Sequence, residues 1–223
     1  MVRPVAEPPA NPHRPPGEFR VVVLVSGSGS NLQALIDTVH EAEDTPARIV
    51  LVVASRTDAP ALARASRAGI GIGVVALGDD TREARDRRLA AMVAEADPDL
   101  IVMAGWMSIV TGELLDRFPD RVINLHPSLL PSFTGLRAIE QALEWGVRVT
   151  GVTVHYAEEA VDSGPPIMQQ PVPVRYGDTP ETLGERVHAA EHELLPRVVR
   201  AFAGGRVHRD PEHPRQVRVE EEQ

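Results

Sequence analysis

The sequence predicts an α/β fold: a single domain with one open, mostly parallel sheet of about seven strands and helices on both of its faces. Apolar runs alternate with amphipathic segments along the 223 residues, and this alternation is typical of a parallel sheet with helical crossovers. Several runs are β-branched and unbroken by polar residues, as expected of strands covered on both faces. A chain of this length can build one substantial core.

Seven short apolar runs are predicted to be strands because turn-forming residues bound them. In chain order they are Phe19–Ser26, Ile49–Ala54, Gly73–Leu77, Leu100–Ala104, Val122–Leu125, Val149–His155 and Ile167–Val174. Around the third run, Gly69, Gly71 and Gly73 weaken a helix and a strand alike, since glycine loses the most backbone freedom on ordering. The extent of that strand therefore stays open.

The amphipathic segments between these runs are predicted to be helices. They are Asn31–Glu41, Arg82–Ala96, Leu136–Trp145 and a last helix whose apolar stripe runs from Leu183 to Phe202. Thr81 is a good N-cap for the second of them, and Gly204-Gly205 ends the last. The arginine-rich run "TREARDRR" is interpreted as a solvated helix face.

The two ends of the chain differ in composition from the middle. Residues 1–18 contain six prolines and no apolar h-region, so they are predicted to be a disordered Pro-rich leader and not a secretory signal. Residues 19–205 form the predicted domain. Residues 206–223 are charged and are expected to form a flexible tail.

The composition excludes several classes of function. The absence of cysteine excludes disulfides and thiolate catalysis and fits a cytoplasmic protein. The absence of lysine excludes Schiff-base chemistry and a P-loop lysine. With 32 acidic against 23 basic side chains, the net charge of −9 argues against a broad nucleic-acid-binding surface. No apolar run reaches the roughly 18 residues of a membrane span, so neither nucleic acid nor membrane is an expected partner.

A glycine–serine loop, Ser26–Asn31, joins the first strand to the first helix. Glycines let backbone amides turn inward, and a helix N-terminus adds partial positive charge, so the loop suits an anion such as phosphate. It is not a dinucleotide fingerprint, because Leu32 stands where the third glycine would be and no acidic residue ends the second strand. A simple small-residue turn is the alternative.

Asn124 and His126 lie at the end of the fifth predicted strand, in "RVINLHPSLLP". Side chains alternate along a strand, so the two point to the same face. An amide can donate to a developing oxyanion and an imidazole can transfer a proton. The alternative is a pair of ordinary core residues with structural partners.

A carboxylate beside His126 would orient the ring and favour its protonated form. The segment "HYAEEAVDSGPPI" supplies candidates, of which Asp162 lies in a tight turn before the last predicted strand. Its alternative role is an Asx-turn residue that bonds its own backbone. The residues alone predict an anion-binding loop, an Asn/His pair and an acidic turn at one edge of a sheet.

Three segments together, "SGSGSNLQAL", "NLHPSLLPSFTG" and "VDSGPPIMQQPVPV", resemble the phosphoribosylglycinamide formyltransferases. The resemblance runs from about Arg20 to Gly205 and implies a Rossmann-like formyltransferase fold. The Asn-x-His-Pro-Ser-x-Leu-Pro run is shared with other enzymes that use 10-formyltetrahydrofolate. The glycine–serine loop and the "AAEH" of the last helix narrow the resemblance to the glycinamide ribonucleotide enzymes.

The resemblance implies three groups of site residues. The catalytic group is Asn124, His126 and Asp162. The group that would bind the ribonucleotide is Gly29, Ser30, Asn31, His188 and Glu191. The group that would bind the folate is Arg82, Met107, Ser108, Ile109, Val110, Asn124, Glu158, Glu159, Ala160, Val161 and Asp162. Ser108, Trp106 and Thr134 depart from the family pattern, which bears on folate affinity more than on the type of reaction.

The resemblance also implies a mechanism. The amine of glycinamide ribonucleotide attacks the formyl carbon of 10-formyltetrahydrofolate, the formyl-donor cosubstrate. Asn124 and protonated His126 stabilise the charge on the formyl oxygen, and Asp162 supports the protonated histidine. No metal is implied, and a homodimer is compatible with the sequence. Two alternatives stay open: a formyltetrahydrofolate deformylase with the same residues, and a catalytically silent module that binds folate or nucleotide.

Overall fold

The computed structural model describes residues 15–76 and 78–221. Residues 1–14 of the predicted leader, and Leu77 of the third predicted strand, lie outside the described residues. Within the described part, nine strands and six α-helices follow one another, with a π-helical turn after the first helix. The first seven strands form one sheet.

The seven-stranded sheet confirms the predicted α/β architecture. Its strands are β1 (Phe19–Val25), β2 (Ala47–Ala54), β3 (Gly71–Val74), β4 (Leu100–Met103), β5 (Val122–His126), β6 (Val149–Tyr156) and β7 (Pro166–Pro173). Their order in space is β3-β2-β1-β4-β5-β6-β7. Strands β1 to β5 pair in parallel, whereas β6 runs antiparallel to both of its neighbours. The chain reverses its direction of travel across the sheet between β1 and β4, the place where ligands bind in open α/β sheets.

Helices pack on both faces of the sheet. They are α1 (Ser30–Leu35, continued by the π-helical turn Ile36–His40), α2 (Pro60–Arg67), α3 (Arg82–Glu95), α4 (Gly112–Leu115), α5 (Ala138–Trp145) and α6 (Pro180–Ala203). One face packs against α1, α2 and α6, and the other packs against α3 and α4. Along β1, Val21 and Val23 join the first core, whereas Val22 and Leu24 join the second. This alternation buries both faces, as the unbroken apolar strands predict.

The third strand differs from its prediction. It covers Gly71–Val74 instead of Gly73–Leu77, because its parallel pairing with β2 begins at the pair Leu51 and Gly71. A side chain at Gly73 would place its Cβ only 2.4 Å from Met92 Sδ of α3. A side chain at this position would therefore have to displace the flexible end of Met92.

Two short helices were not predicted from the sequence pattern. The second helix, α2, has Pro60 in its first turn, where the missing N–H costs nothing, and it buries only the small side chains of Ala61 and Ala65. The fourth, α4, is a single turn that buries Leu114. Neither shows the wide apolar stripe that makes a helix visible in sequence. Thr81, in contrast, caps α3 as predicted, since its hydroxyl accepts from Ala84 N–H at 3.2 Å.

The C-terminal segment differs from the predicted flexible tail. Strand β8 (Val207–Arg209) pairs antiparallel with β9 (Val217–Val219) in a small hairpin. Val207, Val217 and Val219 are half-buried against the core on the α6 face. Alternating valines and charged residues thus form a two-faced hairpin, because one side of each strand meets the core. No helix in the described ranges has the length and apolar character needed to cross a membrane.

Candidate active site

The candidate site is built on β5, from which Asn124 and His126 project toward the same face as Val122. Antiparallel pairing places His155 of β6 opposite Asn124, and Thr153 opposite His126. Helices α3 and α4 cover this face over the strands before β5. Next to these helices, two loops border the same face of the sheet: one follows β5, and the other connects β6 to β7.

Asp162 meets both polar side chains of β5. Its Oδ2 lies 3.2 Å from His126 Nδ1, and its Oδ1 accepts from Asn124 Nδ2 at 3.3 Å. The N–H of Gly135 donates to Oδ2 at 2.7 Å. The backbone of Asp162 is left-handed, with φ of 51°, a conformation that costs energy and recurs at functional sites. The structure thus brings together the three residues that were predicted to be catalytic, and their roles remain predictions.

The surroundings of Asp162 keep its carboxyl group ionised. Burial by itself raises the pKa of this group, since it disfavours charge. The His155 ring, the Gly135 N–H and the positive charge available on His126 act in the opposite direction and hold the pKa of Asp162 below its usual 3.8. A negative charge therefore faces His126 at neutral pH.

The ring of His126 is almost fully buried, at 4% exposure, and both of its nitrogens face acceptor oxygens. Nε2 lies 2.8 Å from the carbonyl oxygen of Phe133, and Nδ1 faces Asp162. A neutral imidazole has one N–H and can serve only one of these acceptors. The arrangement suits a doubly protonated ring, which donates to both.

His155 is a second imidazole at the site, and the sequence analysis predicted no role for it. Its Nδ1 lies 2.8 Å from the carbonyl oxygen of Tyr156, so Nδ1 carries the proton. Its Nε2 lies 3.1 Å from Asn124 Nδ2 and 3.7 Å from Asp162 Oδ1, so the ring contacts both of these side chains. His155 fixes which way the Asn124 amide faces. Only the β5–β6 register, which the sequence does not reveal, places the two opposite each other.

The buried hydroxyl of Thr153 anchors the loop after β5, residues 127–135, by hydrogen bonds to its backbone. Thr153 Oγ1 donates to Ser128 O at 2.7 Å and accepts from Leu130 N–H at 3.1 Å. Gln169 of β7 donates to the same hydroxyl at 2.9 Å and to Leu130 O at 3.0 Å. This network fixes the loop that brings Phe133 O and Gly135 N–H to the site.

The glycine–serine loop has the glycine requirement that its sequence suggested. Gly29 has φ of 74°, and a Cβ there would lie 2.6 Å from Ala61 Cβ of α2. Any side chain would therefore be both strained and crowded. Arg64, also on α2, donates to Ser28 O at 2.9 Å and to Gln33 Oε1 at 2.9 Å. Helix α2, which was not predicted, is thus what shapes this loop.

Asn31 connects the loop to α6. Its Nδ2 donates to Glu191 Oε2 at 2.9 Å, while its Oδ1 is buried and has no partner. Glu191 is 4% exposed, and His188 Nδ1 lies 3.0 Å from the same Oε2. The hydrogen bond that His188 donates to Glu191 raises the pKa of His188 above 6.5 and outweighs the opposing effect of burial. Three of the five residues predicted to bind the ribonucleotide, Asn31, His188 and Glu191, are therefore joined through the Glu191 carboxylate. Ser30 is the first residue of α1, and Gly29 precedes it as the N-cap.

The segment after β4, Met107–Val110, lies beside the glycine–serine loop. Met107 N–H donates to Ser26 Oγ at 2.9 Å, and Ser55 donates to the same hydroxyl at 2.7 Å. Met107 and Ile109 are exposed large apolar side chains, whereas Val110 is buried in the core. Ser108 is half-buried between them.

A cavity of about 1060 Å³ lies beside this segment. Its lining includes Arg82, Ile109, Val110 and Glu159. Across the site, the turn Glu158–Asp162 exposes Glu158, Glu159, Ala160 and Val161. Of the predicted folate-binding residues, four from three separate segments thus line this cavity: Arg82, Ile109, Val110 and Glu159.

A buried ion pair supports this region and corrects the interpretation of "TREARDRR" as a solvated face. Arg85 and Asp86 are 1% and 0% exposed and lie 2.6 Å apart. Arg85 donates to Ile109 O at 2.5 Å, and Asp86 Oδ2 accepts from Thr111 N–H at 2.6 Å. Arg85 also lies over the Trp106 ring at 5.9 Å. The pair is buried because it satisfies the backbone of the segment after β4. Charge-rich sequence alone does not reveal such a partner.

The part of the chain that the structure describes holds no group of three or more His, Asp or Glu residues arranged to bind a metal ion. Around β5, the site consists of an amide, two imidazoles and one carboxylate. The glycine–serine loop, in which Gly29 leaves no room for a side chain, and the exposed apolar side chains after β4 lie on either side. Such a set can stabilise an oxyanion and move a proton.

Comparison with known proteins identifies relatives of the chain. Residues 19–199 match the family model described as formyl transferase. Phosphoribosylglycinamide formyltransferase of Mycobacterium tuberculosis is 42% identical over 204 residues, which are 91% of each chain. The trifunctional purine biosynthetic protein adenosine-3 of Bos taurus is 44% identical over 86% of this chain, which spans only 19% of that protein.

Solved structures agree with these relatives. The crystal structure of glycinamide ribonucleotide transformylase 1 from Symbiobacterium toebii superposes with a TM-score of 0.86 at 43% identity. The match covers 94% of this chain and 98% of that chain. The structure of phosphoribosylglycinamide formyltransferase from Anaplasma phagocytophilum has a TM-score of 0.85 at 38% identity, over 92% of this chain. The sheet described above is thus the Rossmann-like fold of those formyltransferases.

Proposed function

The chain belongs to the formyl transferase family, and on that premise we propose that it is a phosphoribosylglycinamide formyltransferase of de novo purine synthesis. It would transfer the formyl group of 10-formyltetrahydrofolate to the amine of glycinamide ribonucleotide. The observation that carries the proposal is the contact of Asp162 with both Asn124 and His126 at the end of β5, beside the glycine–serine loop.

The ribonucleotide would lie between the glycine–serine loop and α6. Gly29, Ser30 and Asn31 would offer backbone N–H groups to its phosphate, and Gly29 keeps the loop free of side-chain bulk. Glu191 would accept from the ribose hydroxyls. The buried Oδ1 of Asn31 has no hydrogen-bond partner within the described part of the chain, although nearly all buried acceptors in proteins have one. A donor group of the ribonucleotide would supply that partner, which supports this placement. His188, whose pKa is raised, would add positive charge near the phosphate.

The folate would lie on the other side of Asn124. Exposed Met107, Ile109 and Val161 offer apolar surface that fits a flat heterocycle. The turn Glu158–Asp162 would border the ring, and Arg82 at the neighbouring cavity would attract the negatively charged end of the molecule. The folate supplies the formyl group as a bound cosubstrate.

Asn124 and His126 would stabilise the negative charge that develops on the formyl oxygen. Asn124 Nδ2 would donate to the formyl oxygen in place of its contact with Asp162, and the contact with His155 would keep the amide oriented. The formyl oxygen would compete with Phe133 O for the Nε2 proton of His126. Asp162 would keep the ring oriented and charged throughout.

The transfer conserves atoms and protons. A bond forms between the amine nitrogen of the ribonucleotide and the formyl carbon, and the bond between that carbon and N10 of the folate breaks. The amine loses one proton and N10 gains one. Asp162, ionised at neutral pH because its pKa is lowered, would hold the water that relays this proton.

The remaining assignments belong to the same proposal. We assign the protein to the cytoplasm and give it two small-molecule partners, with neither nucleic acid nor membrane among them. A homodimer is a further expectation, and sedimentation velocity over a range of concentrations would show whether it forms.

Identification of the product tests the function. Purified protein is incubated with 10-formyltetrahydrofolate and glycinamide ribonucleotide, and the ribonucleotide is analysed by mass spectrometry. The proposal requires a ribonucleotide that carries one formyl group on its amine. Accumulation of free formate with an unmodified ribonucleotide would replace the proposal with a deformylase.

A further inference from the structure

The C-terminal hairpin touches the turn that carries Asp162. Arg215, in the loop between β8 and β9, donates from Nη2 to the carbonyl oxygen of Ser163 at 3.0 Å. Arg209 at the end of β8 approaches Glu158 of the same turn, with Nη2 3.9 Å from Oε1. Ser163 directly follows Asp162 in the chain. The hairpin thus contacts the turn at both of its ends.

Within the turn, Ser163 supplies the hydrogen bonds. Its N–H donates to Ala160 O at 3.4 Å, and its Oγ lies 2.9 Å from the same carbonyl and 3.2 Å from Glu158 Oε2. From outside, Gly112 N–H donates to Glu159 Oε1 at 2.8 Å. Asp162 nevertheless keeps a left-handed backbone, with φ of 51°. A strained backbone of this kind persists only when its surroundings hold it. Contacts from outside the turn are therefore needed to keep the Asp162 carboxylate on the face of β5.

Arg209 fixes the hairpin at the position from which Arg215 reaches the turn. Its guanidinium pairs with Asp120, just before β5, and lies 5.5 Å from the centre of the Tyr156 ring at the end of β6. Its Nε donates to Pro214 O at 2.7 Å, next to Arg215 in the chain. The Arg209 side chain is only 30% exposed, so these bonds are partly shielded from water and screening.

We propose that the C-terminal hairpin is a positioning element of the catalytic site, in which Arg209 anchors the hairpin and Arg215 holds the backbone beside Asp162. Neither arginine contacts the reacting atoms; both act through the placement of the Asp162 carboxylate against His126 and the Gly135 N–H. The catalytic part of this inference rests on the proposed function.

Hydrogen exchange tests the positioning without any turnover. The Gly135 N–H donates to Asp162 Oδ2, so its protection reports whether the carboxylate stays in place. Arg215→Ala should make the Gly135 amide exchange faster. Arg218→Ala is the matched control, because Arg218 lies on the same hairpin, is 74% exposed and forms an ion pair with Glu220, within the hairpin itself. Equal Gly135 exchange rates in the wild type and both variants would overturn the proposal.

Kinetics test the catalytic consequence. Arg215→Ala should lower kcat by about 5-fold, the size expected for the loss of one hydrogen bond, with the KM for the ribonucleotide unchanged. In an Asp162→Asn background the same change should have no further effect on kcat, because the two residues act through one contact. Additive losses in kcat would mean a general structural role and would also overturn the proposal.

The two experiments separate the possible failures. A wild-type protein that transfers no formyl group would contradict the proposed function, while Gly135 exchange would still decide whether the hairpin places Asp162. Since Arg215 is exposed, its removal should leave the thermal unfolding midpoint within the range of the Arg218→Ala control.

Discussion

Asp162 Oδ2 lies 3.2 Å from His126 Nδ1, and the same oxygen accepts the Gly135 N–H at 2.7 Å. One carboxylate thus joins the end of β5, the loop that follows it and the turn between β6 and β7. Because Asp162 reaches this position through a left-handed backbone, the geometry depends on a conformation that most residues avoid. The predictions below follow from this arrangement and from the loops around it.

Removal of the His126 ring should abolish most catalysis. His126→Ala deletes the group that would donate to the formyl oxygen, and general acid catalysis of this kind contributes roughly 10²- to 10⁴-fold. We expect kcat to fall by that amount while affinity for glycinamide ribonucleotide, measured by calorimetry, stays near the wild-type value. A variant that retains full kcat would exclude His126 from the mechanism.

Loss of the Asp162 charge should change the pH dependence of the rate. The pKa of Asp162 is lowered, so its stabilising contribution is present above the usual 3.8 and is lost as the pH falls through the lowered value. Asp162→Asn removes the negative charge that favours protonated His126. We expect kcat to fall, and the loss of rate that follows protonation of Asp162 at acid pH should disappear from the kcat profile. An acid limb that persists in the variant would show that it does not report the protonation of Asp162.

Gly29 should tolerate no side chain. Gly29→Ala would force a left-handed alanine and a 2.6 Å approach to Ala61 Cβ, so the glycine–serine loop must shift. We expect the KM for the ribonucleotide to rise by about 10-fold or more, from a strain of the usual size. Gly27→Ala is the matched control, because a Cβ at Gly27 meets no atom within 4 Å. Equal effects of the two substitutions on KM would argue against a shaped anion loop.

His188 should make ribonucleotide binding depend on pH. Its pKa is raised by the hydrogen bond to Glu191, so the stability from this pair is full below 6.5 and is lost as the pH rises through the raised value. Affinity for the ribonucleotide should weaken over the same window. In calorimetric titrations, the affinity of His188→Gln for the ribonucleotide should change less with pH than that of the wild type. An unchanged pH dependence would show that another group causes it.

The Thr153 hydroxyl should stabilise the loop after β5. Thr153→Val leaves the Ser128 carbonyl and the Leu130 N–H without their buried partner, which should lower the free energy of unfolding by about 2 kcal/mol and reduce kcat. Thr150→Val on the same strand is the control, since the buried Thr150 hydroxyl has no hydrogen-bond partner. Urea unfolding should show Thr150→Val to be neutral or stabilising. A neutral Thr153→Val would mean that the loop does not depend on this anchor.

The sheet was largely predictable because strands buried on both faces leave an unbroken apolar pattern. Strand geometry likewise predicted that Asn124 and His126 share one face of β5. The glycine–serine loop was recognisable in the sequence because small residues separate the strand from the helix. Helix α2 was missed because its buried face consists of alanines, which differ little from a polar surface in pattern. Its role in crowding Gly29 could not be foreseen.

The features that the sequence did not reveal depend on contacts between distant segments. The role of His155 needs the β5–β6 register, and the burial of Arg85 and Asp86 needs the backbone of Ile109 and Thr111 as partners. The C-terminal hairpin is stabilised by packing of its valines on the core, which a charged composition conceals. Local pattern cannot predict such interactions, since each depends on a tertiary neighbour.

The most direct test follows the loss of 10-formyltetrahydrofolate with purified protein, with and without glycinamide ribonucleotide. The account predicts loss only when the ribonucleotide is present, because the amine of the ribonucleotide is the acceptor and water is not. Equal loss without the ribonucleotide would indicate hydrolysis, and no loss in either condition would indicate binding without catalysis. Either of these results would contradict the assignment of Asn124, His126 and Asp162 to formyl transfer.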